Sequence, residues 1–194
     1  MDSLPTPESV RGGIYLFLKR NFHLLKSPVI EVGSKVASFH KDWANNKIQC
    51  GKIGLKHVGV DLSEGHGVDV VGNILGPPVE REHKILQQEF RGAILSESLE
   101  HISDPCKALL WVKSVLASGS SILITTPFGF PVHGFPDDYW RFTPSGMSQL
   151  ALKAGLRVSH VEEINPITIT ISDHGVRNVT RRLPLTIGCV MEKL

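Results

Sequence analysis

With 194 residues, 41 % apolar content and a formal charge of +2, the chain is long enough for one domain with a full core and short for two independent ones. That charge and a pI near 8.5 are too mild to indicate a polyanionic partner, and Arg181-Arg182 is the one notable run of like charge. Three scattered cysteines, Cys50, Cys106 and Cys189, show no CxxC spacing, which suits free thiols in a reducing, cytoplasmic setting.

Thr6-Pro7-Glu8 reads as a helix start, with Thr as N-cap and Pro at the first helical position. Val10, Ile14, Phe17, Leu18 and Phe22 then recur at helical spacing, so an N-terminal helix packs one face on the domain. The run Ile14 to Leu18 is too short for a signal-peptide core, and nothing approaches a membrane span. Val29-Ile30-Glu31-Val32-Gly33 is a buried strand ending in a carboxylate and a glycine turn, where backbone can approach a ligand closely. Glu31 needs partners there, because a desolvated carboxylate without them is unfavourable.

A short helix is expected within residues 38–47, carrying Phe39, Trp43 and Ala44 on one face. His57-Val58-Gly59-Val60-Asp61 is a second strand, about one βαβ unit after Glu31, and an acid at that point can accept hydrogen bonds from both hydroxyls of an adenosine ribose. Val68 to Val71 is a third strand followed by Asn73, a residue that suits an adenine edge or a simple turn. Residues 79–90 read as a polar helix and 92–97 as a fourth strand. Asp104 caps a helix beginning at Pro105, with Ala108, Leu109, Val112, Val115 and Leu116 on its apolar face. Residues 120–125 make a fifth strand; Thr143-Pro144 opens a helix with Met147, Leu150, Ala151 and Ala154 inward and Gly155 as its stop; a sixth strand covers 156–161. Alternation through Ile167, Ile169 and Ile171 precedes a polar stretch and a last strand, 185–191, expected at an edge. Strands alternating with helices imply a mostly parallel sheet covered on both faces.

Taken together, Glu31-Val32-Gly33, Gly59-Val60-Asp61, Asn73-Ile74 and Ser96-Glu97-Ser98-Leu99-Glu100-His101-Ile102-Ser103-Asp104-Pro105 resemble the class I S-adenosylmethionine-dependent methyltransferases, of the small type with an "LEH…DP" segment after the fourth strand. The likeness spans roughly residues 29–156, and the segment from His133 to Pro144 also looks like one found after the fifth strand in some of these enzymes. It implies a Rossmann-like fold with a seven-stranded, mostly parallel sheet and an antiparallel last strand. It divides the chain into an N-terminal helix at 1–25 that packs on or caps the site, a cofactor-binding core at 28–163, and a C-terminal loop and last strand at 164–194. By resemblance, Glu31, Gly33 and Ser34 hold the methionine end of S-adenosylmethionine. Asp61 takes the ribose with Leu62 beside the adenine, Asn73 and Ile74 line the adenine, and Ser96 and Glu97 close over the sulfonium. The implied product is S-adenosylhomocysteine.

Two departures stand out: Lys35 and Ala37 occupy sites where the family has glycines, and Asn73 replaces a common Asp. A left-handed backbone at Lys35 would cost roughly 1 kcal/mol. The aromatic-rich segment 128–142 offers Tyr139, Trp140 and Phe142 as a wall for a cationic cofactor, and His101, His133, Asp137 and Tyr139 are the catalytic candidates, the histidines as bases and the aspartates as orienting groups or partners of Arg141. None of the nine histidines has HxH, HxxxH or HExxH spacing, so no metal is expected. Arg177, Arg181 and Arg182 form either a solvated cluster or a grip on an anionic substrate.

An NAD-dependent enzyme would need GxGxxG where the chain has Gly33-Ser34-Lys35-Val36-Ala37-Ser38, and a nucleic-acid base methyltransferase an Asn/Asp-Pro-Pro-aromatic segment where it has Ser96-Glu97-Ser98-Leu99. The reading is methyl transfer to a small-molecule, lipid or saccharide acceptor, with no nucleic-acid partner; the alternative is a methyltransferase-like binding or scaffold protein without turnover.

Overall fold

The structure, a computed structural model, describes residues 6, 9–36, 42–77, 83–133, 137–173 and 177–194. Among the described residues four helices, α1 (Val10–Asn21), α2 (Asn46–Lys52), α3 (Pro105–Val115) and α4 (Pro144–Lys153), flank nine strands. The strands are β1 (Val29–Val32), β2 (His57–Asp61), β3 (Val70–Val71), β4 (Phe90–Ser96), β5 (Leu116–Pro127), β6 (Arg157–Ile164), β7 (Ile167–Asp173), β8 (Arg177–Leu183) and β9 (Thr186–Glu192). Seven of them form one sheet in the order β3-β2-β1-β4-β5-β9-β6, parallel except for β9, which runs antiparallel to both neighbours. This is the mostly parallel seven-stranded sheet expected from the sequence.

Alternate residues of the central strands face two separate cores, as the pleat requires. Val29, Ile94, Leu123 and Val190 pack with Phe17, Leu18 and Phe22 of α1 and Cys50 of α2. Ile30, Ala93, Leu95, Ile122, Ile124 and Cys189 pack on the other face with Ala108, Leu109 and Val112 of α3 and Met147, Leu150 and Ala151 of α4. Burying each large apolar side chain contributes about 1.5–3 kcal/mol, so these alternating runs hold the helices on. The close approach of α1 depends on Gly188 in β9: a Cβ there would sit 2.6 Å from the Phe17 ring.

The caps at α3 and α4 are those the sequence indicates. Asp104 Oδ1 accepts from Lys107 N at 2.9 Å, Thr143 Oγ1 from Gly146 N at 3.0 Å, and Gly155 ends α4 in the left-handed region at φ +64°. At α1 the cap moves: Ser9 rather than Thr6 accepts from Gly12 N, at 3.0 Å, while Pro7 and Glu8 fall outside the described residues.

Other expectations need correction. Of the polar helix expected at 79–90, residues 79–82 lie outside the described residues; Lys84–Gln87 is a 3-10 turn, and Phe90, fully buried, already belongs to β4. Of the expected helix at 38–47, residues 38–41 lie outside the described residues; Asp42–Ala44 is a 3-10 turn, and α2 starts at Asn46 behind Asn45, whose side chain accepts from Ile48 N at 3.2 Å. Glu97 lies beyond β4, in a left-handed conformation at φ +50°. Leu116 opens β5 instead of closing α3. The C-terminal stretch is not loop and edge strand. β7 and β8 form a separate two-stranded sheet, and β9 then enters between β5 and β6, completing the hydrogen bonding of both. Arg182 of β8 pairs with Glu163 at 3.2 Å, which favours the solvated-cluster reading of that arginine.

Candidate active site

The carboxyl ends of β2, β1 and β4 lie side by side, as the register pairs Val60 with Val32 and Glu31 with Ile94. Ligands of open α/β sheets bind at such strand ends. At the end of β1 Gly33 turns with φ +74°, and a Cβ on it would stand 2.6 Å from Ser98 Cβ, so the chain here admits only glycine without displacement. Gly33 N and Ser34 N both donate to the Val60 carbonyl, at 2.9 and 3.2 Å, which draws the turn toward β2. Ser34 Oγ is buried without a partner.

Glu31 is 5 % exposed and fully satisfied: Asn46 Nδ2 donates to Oε1 at 2.6 Å and His57 Nε2 to Oε2 at 2.7 Å. The sequence shows that Glu31 needs partners and does not show which; both lie on elements that tertiary packing brings over β1. Asp61 Oδ2 accepts from Lys35 N at 3.0 Å and Oδ1 from Ser63 N at 3.2 Å. Each carboxylate oxygen has two lone pairs, so one remains on each for a ribose hydroxyl. Lys35 is not left-handed; the only non-glycine residues of that kind among the described residues are Glu97 and Asn165, so the expected strain does not arise. Lys35 Nζ instead reaches Ser63 Oγ at 2.9 Å, tying the first turn to the loop after β2. Ala37 lies outside the described residues.

On the adenine side, Leu62 is 60 % exposed beside Asp61, while Ile74 is 9 % exposed and packs into the core. Asn73 Oδ1 accepts from Leu75 N at 2.9 Å, the Asx turn that its place after a strand suggests. A cavity of about 160 Å³ lined by Gly13, Leu16, Arg20, Glu162 and Asn165 lies beside α1 and β6. It is smaller than the roughly 300 Å³ at which ligand pockets begin.

After β4 the chemistry changes. Ser96 Oγ lies 3.0 Å from Thr125 Oγ1, and Glu97 N donates to the Thr125 carbonyl at 2.9 Å. Glu97 Oε1, Ser98 Oγ and both oxygens of Glu100 are buried with no hydrogen-bond partner among the described residues. Burial raises the pKa of Glu97 against a hydrogen bond from Thr125 and the charges of Arg11 and Arg141; burial and then the Glu97 charge raise that of Glu100.

The segment before α4 folds over these acids. His101 Nδ1 donates to the Asp137 carbonyl, Tyr139 N to the Glu100 carbonyl at 2.7 Å, Tyr139 Oη to an Asp137 carboxylate oxygen at 2.9 Å, and Trp140 Nε1 to the Ile102 carbonyl at 2.9 Å. The rings of His101 and His133 meet edge to face with centroids 5.1 Å apart. All four catalytic candidates, His101, His133, Asp137 and Tyr139, therefore share one cluster. Asp138 binds the Arg141 guanidinium, which holds its carboxyl well below the usual range, and it accepts from His133 N at 2.8 Å. Asp138 thus positions the His133 loop. Glu100 is the group that residue types alone did not single out: its burial at 0 % exposure is a tertiary fact.

No protein-family profile matches the sequence, and no curated protein matches it. Solved structures do. A methyltransferase from Clostridium acetobutylicum dependent on S-adenosylmethionine is 8 % identical, with a TM-score of 0.62 over 93 % of this chain and 91 % of that one. One from Archaeoglobus fulgidus is 17 % identical, with a TM-score of 0.61 over 94 % of each chain. The CcbJ methyltransferase from Streptomyces caelestis is 14 % identical, with a TM-score of 0.59 over the whole of both chains. Among the described residues no helix is long and apolar enough to cross a membrane. Strand order, antiparallel β9 and likeness over nine-tenths or more of each chain agree, and the architecture is that of the class I S-adenosylmethionine-dependent methyltransferase fold.

Proposed function

We propose that this protein binds S-adenosylmethionine and transfers its methyl group to an oxygen or nitrogen of a small-molecule, lipid or saccharide acceptor. The observation that carries the reading is the alignment of Gly33, Asp61 and the Ser96-Glu97 segment at the carboxyl ends of three adjacent parallel strands. The residues fit the cofactor. Asp61 keeps two acceptor sites, and Ser34 Oγ, Ser98 Oγ and Glu97 Oε1 are buried polar atoms without partners among the described residues. When bound, the cofactor supplies an electrophilic methyl on a sulfonium.

The protein's own part is alignment. Asp61 fixes the ribose, Leu62 covers the adenine with Asn73 at its edge, Glu31 holds the first turn through Asn46 and His57, and Gly33 and Ser34 border the methionine end. Glu97 and Ser96 lie toward the sulfonium, where a carboxylate favours positive charge. His101, His133, Asp137 and Tyr139 face the acceptor. His101, with Nδ1–H given to a carbonyl, keeps Nε2 free to take a proton.

Calorimetric titration with S-adenosylmethionine and S-adenosylhomocysteine tests this, on wild type and Asp61→Ala. Wild type binds both, and the variant binds each more than about tenfold weaker, as expected for loss of two charge-assisted hydrogen bonds. No heat with either ligand rejects the reading. Binding without homocysteine release across acceptor classes would make the protein a binding module, a reading that draws on Lys35 N already occupying Asp61.

A further inference from the structure

Glu100 is the least explained group in the molecule. It is 0 % exposed, and neither carboxylate oxygen has a hydrogen-bond partner among the described residues. An ionised carboxylate so placed is strongly unfavourable, so either a proton or a cation must meet it. The Arg141 guanidinium is engaged by both oxygens of Asp138. Within the field of the Glu97, Asp138 and Arg141 charges, the Glu100 carboxylate also has an imidazole beside it.

His101 Nε2 lies 3.7 Å from Glu100 Oε1, and one ligand atom from each of Glu100, His101 and His133 falls within 4.8 Å of the others. Because a carbonyl can only accept, His101 Nδ1 carries a proton toward Asp137, and Nε2 is the nitrogen that stands toward Glu100. Metal-binding histidines give their second N–H to a carbonyl or carboxylate in this way. His133 has the same support, its Nδ1 being 3.3 Å from the Pro131 carbonyl and 3.2 Å from Asp138 Oδ2.

We propose that Glu100, His101 and His133 form a divalent-cation site of two imidazoles and one carboxylate, a set that suits Zn²⁺ and leaves a coordination position open for an oxygen of the acceptor. Zinc ligands at bond lengths near 2 Å stand roughly 3.3 Å apart, so loading draws the His133 loop inward. The absence of metal-binding spacing in the sequence has a simple cause: the two histidines come from different loops, one after β4 and one after β5. The role of the site rests on the methyl-transfer reading and deepens it by putting the cation in place of His101 Nε2 as the activating group: a hydroxyl held on the cation would give its proton to water and present an oxygen nucleophile. Ligation itself does not depend on that reading.

The test is calorimetric titration of chelator-treated full-length protein with ZnCl₂, without S-adenosylmethionine, on wild type, Glu100→Gln and His133→Ala. Wild type takes one equivalent, each variant binds more than about tenfold weaker, and Mg²⁺, which prefers an all-oxygen shell, does not compete. X-ray absorption of the zinc complex shows two imidazole ligands. Glu100→Gln replaces an unpartnered acid by an amide of the same shape, and His133 is half-exposed, so circular dichroism melts of both variants follow wild type. Failure of wild type to bind zinc overturns the proposal, as does zinc retained undiminished in both variants, which places the ion elsewhere among the nine histidines and three cysteines. Loss of zinc binding with intact cofactor binding, or the converse, separates this site from the methyl-transfer reading.

Discussion

The two halves of the strand-end surface are built on opposite principles. On the β1–β2 side the charged groups are already matched internally: Glu31 by Asn46 and His57, Asp61 by Lys35 N and Ser63 N, Asp69 by Lys47 and Gly59 N. On the β4–β5 side the acids Glu97 and Glu100 carry buried carboxylate oxygens without partners among the described residues, and Glu97 is held at φ +50°. The first half is a pre-organised frame, where a ligand adds bonds to groups that are stable without it. The second half stores an unfavourable arrangement that a ligand can relieve, the pattern that functional sites show when stability is given up for chemistry.

The same substitution in each half should therefore act differently, and this is the largest contrast expected. Glu31→Gln puts an amide NH₂ against either Asn46 Nδ2 or His57 Nε2, so that a buried donor faces a donor or His57 must move its proton to the unpartnered Nδ1, and with the loss of the charge-assisted bonds it costs about 1–3 kcal/mol. Glu100→Gln breaks no hydrogen bond and leaves stability unchanged or higher. Urea unfolding of both variants reads the difference, and equal losses would erase the distinction between the halves. The next effect falls at their junction. Gly33→Ala combines a left-handed backbone with a Cβ 2.6 Å from Ser98 Cβ, for a loss of roughly 2–3 kcal/mol. Its melting temperature falls together with cofactor affinity, whereas Gly51→Ala, whose Cβ would meet nothing within 4 Å, leaves both in place.

The sequence announces the frame better than the reactive half, for physical reasons. Caps at Asp104 and Thr143, the apolar faces of α1, α3 and α4, and the acid at the end of β2 are local patterns, and local patterns survive folding. The interior place of β9 was hidden because its strand pattern is the same at an edge or between two partners; what admits it is Gly188 under the Phe17 ring, a contact between chain ends. Glu97 was read as strand because nothing about glutamate suggests positive φ. Lys35 was suspected of strain through a glycine pattern that this turn does not need. The His101–His133–Asp137–Tyr139 cluster was visible as a loop too rich in aromatic and titratable residues to be idle. That Glu100 lies beneath it without partners is set by burial, which no residue type reveals.

The smallest effect tests whether the frame's pairing is electrostatic. Asp69 Oδ2 accepts from Gly59 N at 2.9 Å and its other oxygen from Lys47 Nζ, tying the loop before β3 to α2 and β2. Partial burial pushes its pKa up, but Lys47, the Gly59 N–H and the charge of His57 outweigh this and leave it lowered. A lowered folded pKa means that the unfolded chain takes up the proton first. The stabilisation is then complete above the unfolded value of about 3.9 and disappears as pH falls through the folded one. Asp69→Asn keeps an acceptor for Gly59 N and loses only the charge. Since Lys47 is 43 % exposed, the loss at neutral pH is about 1 kcal/mol or less. Urea midpoints measured from pH 7 to pH 3 should show the two proteins converging at the acid end. A gap that stays constant across the range would mean that the geometry of the loop, not the charge of Asp69, holds β3 to the sheet.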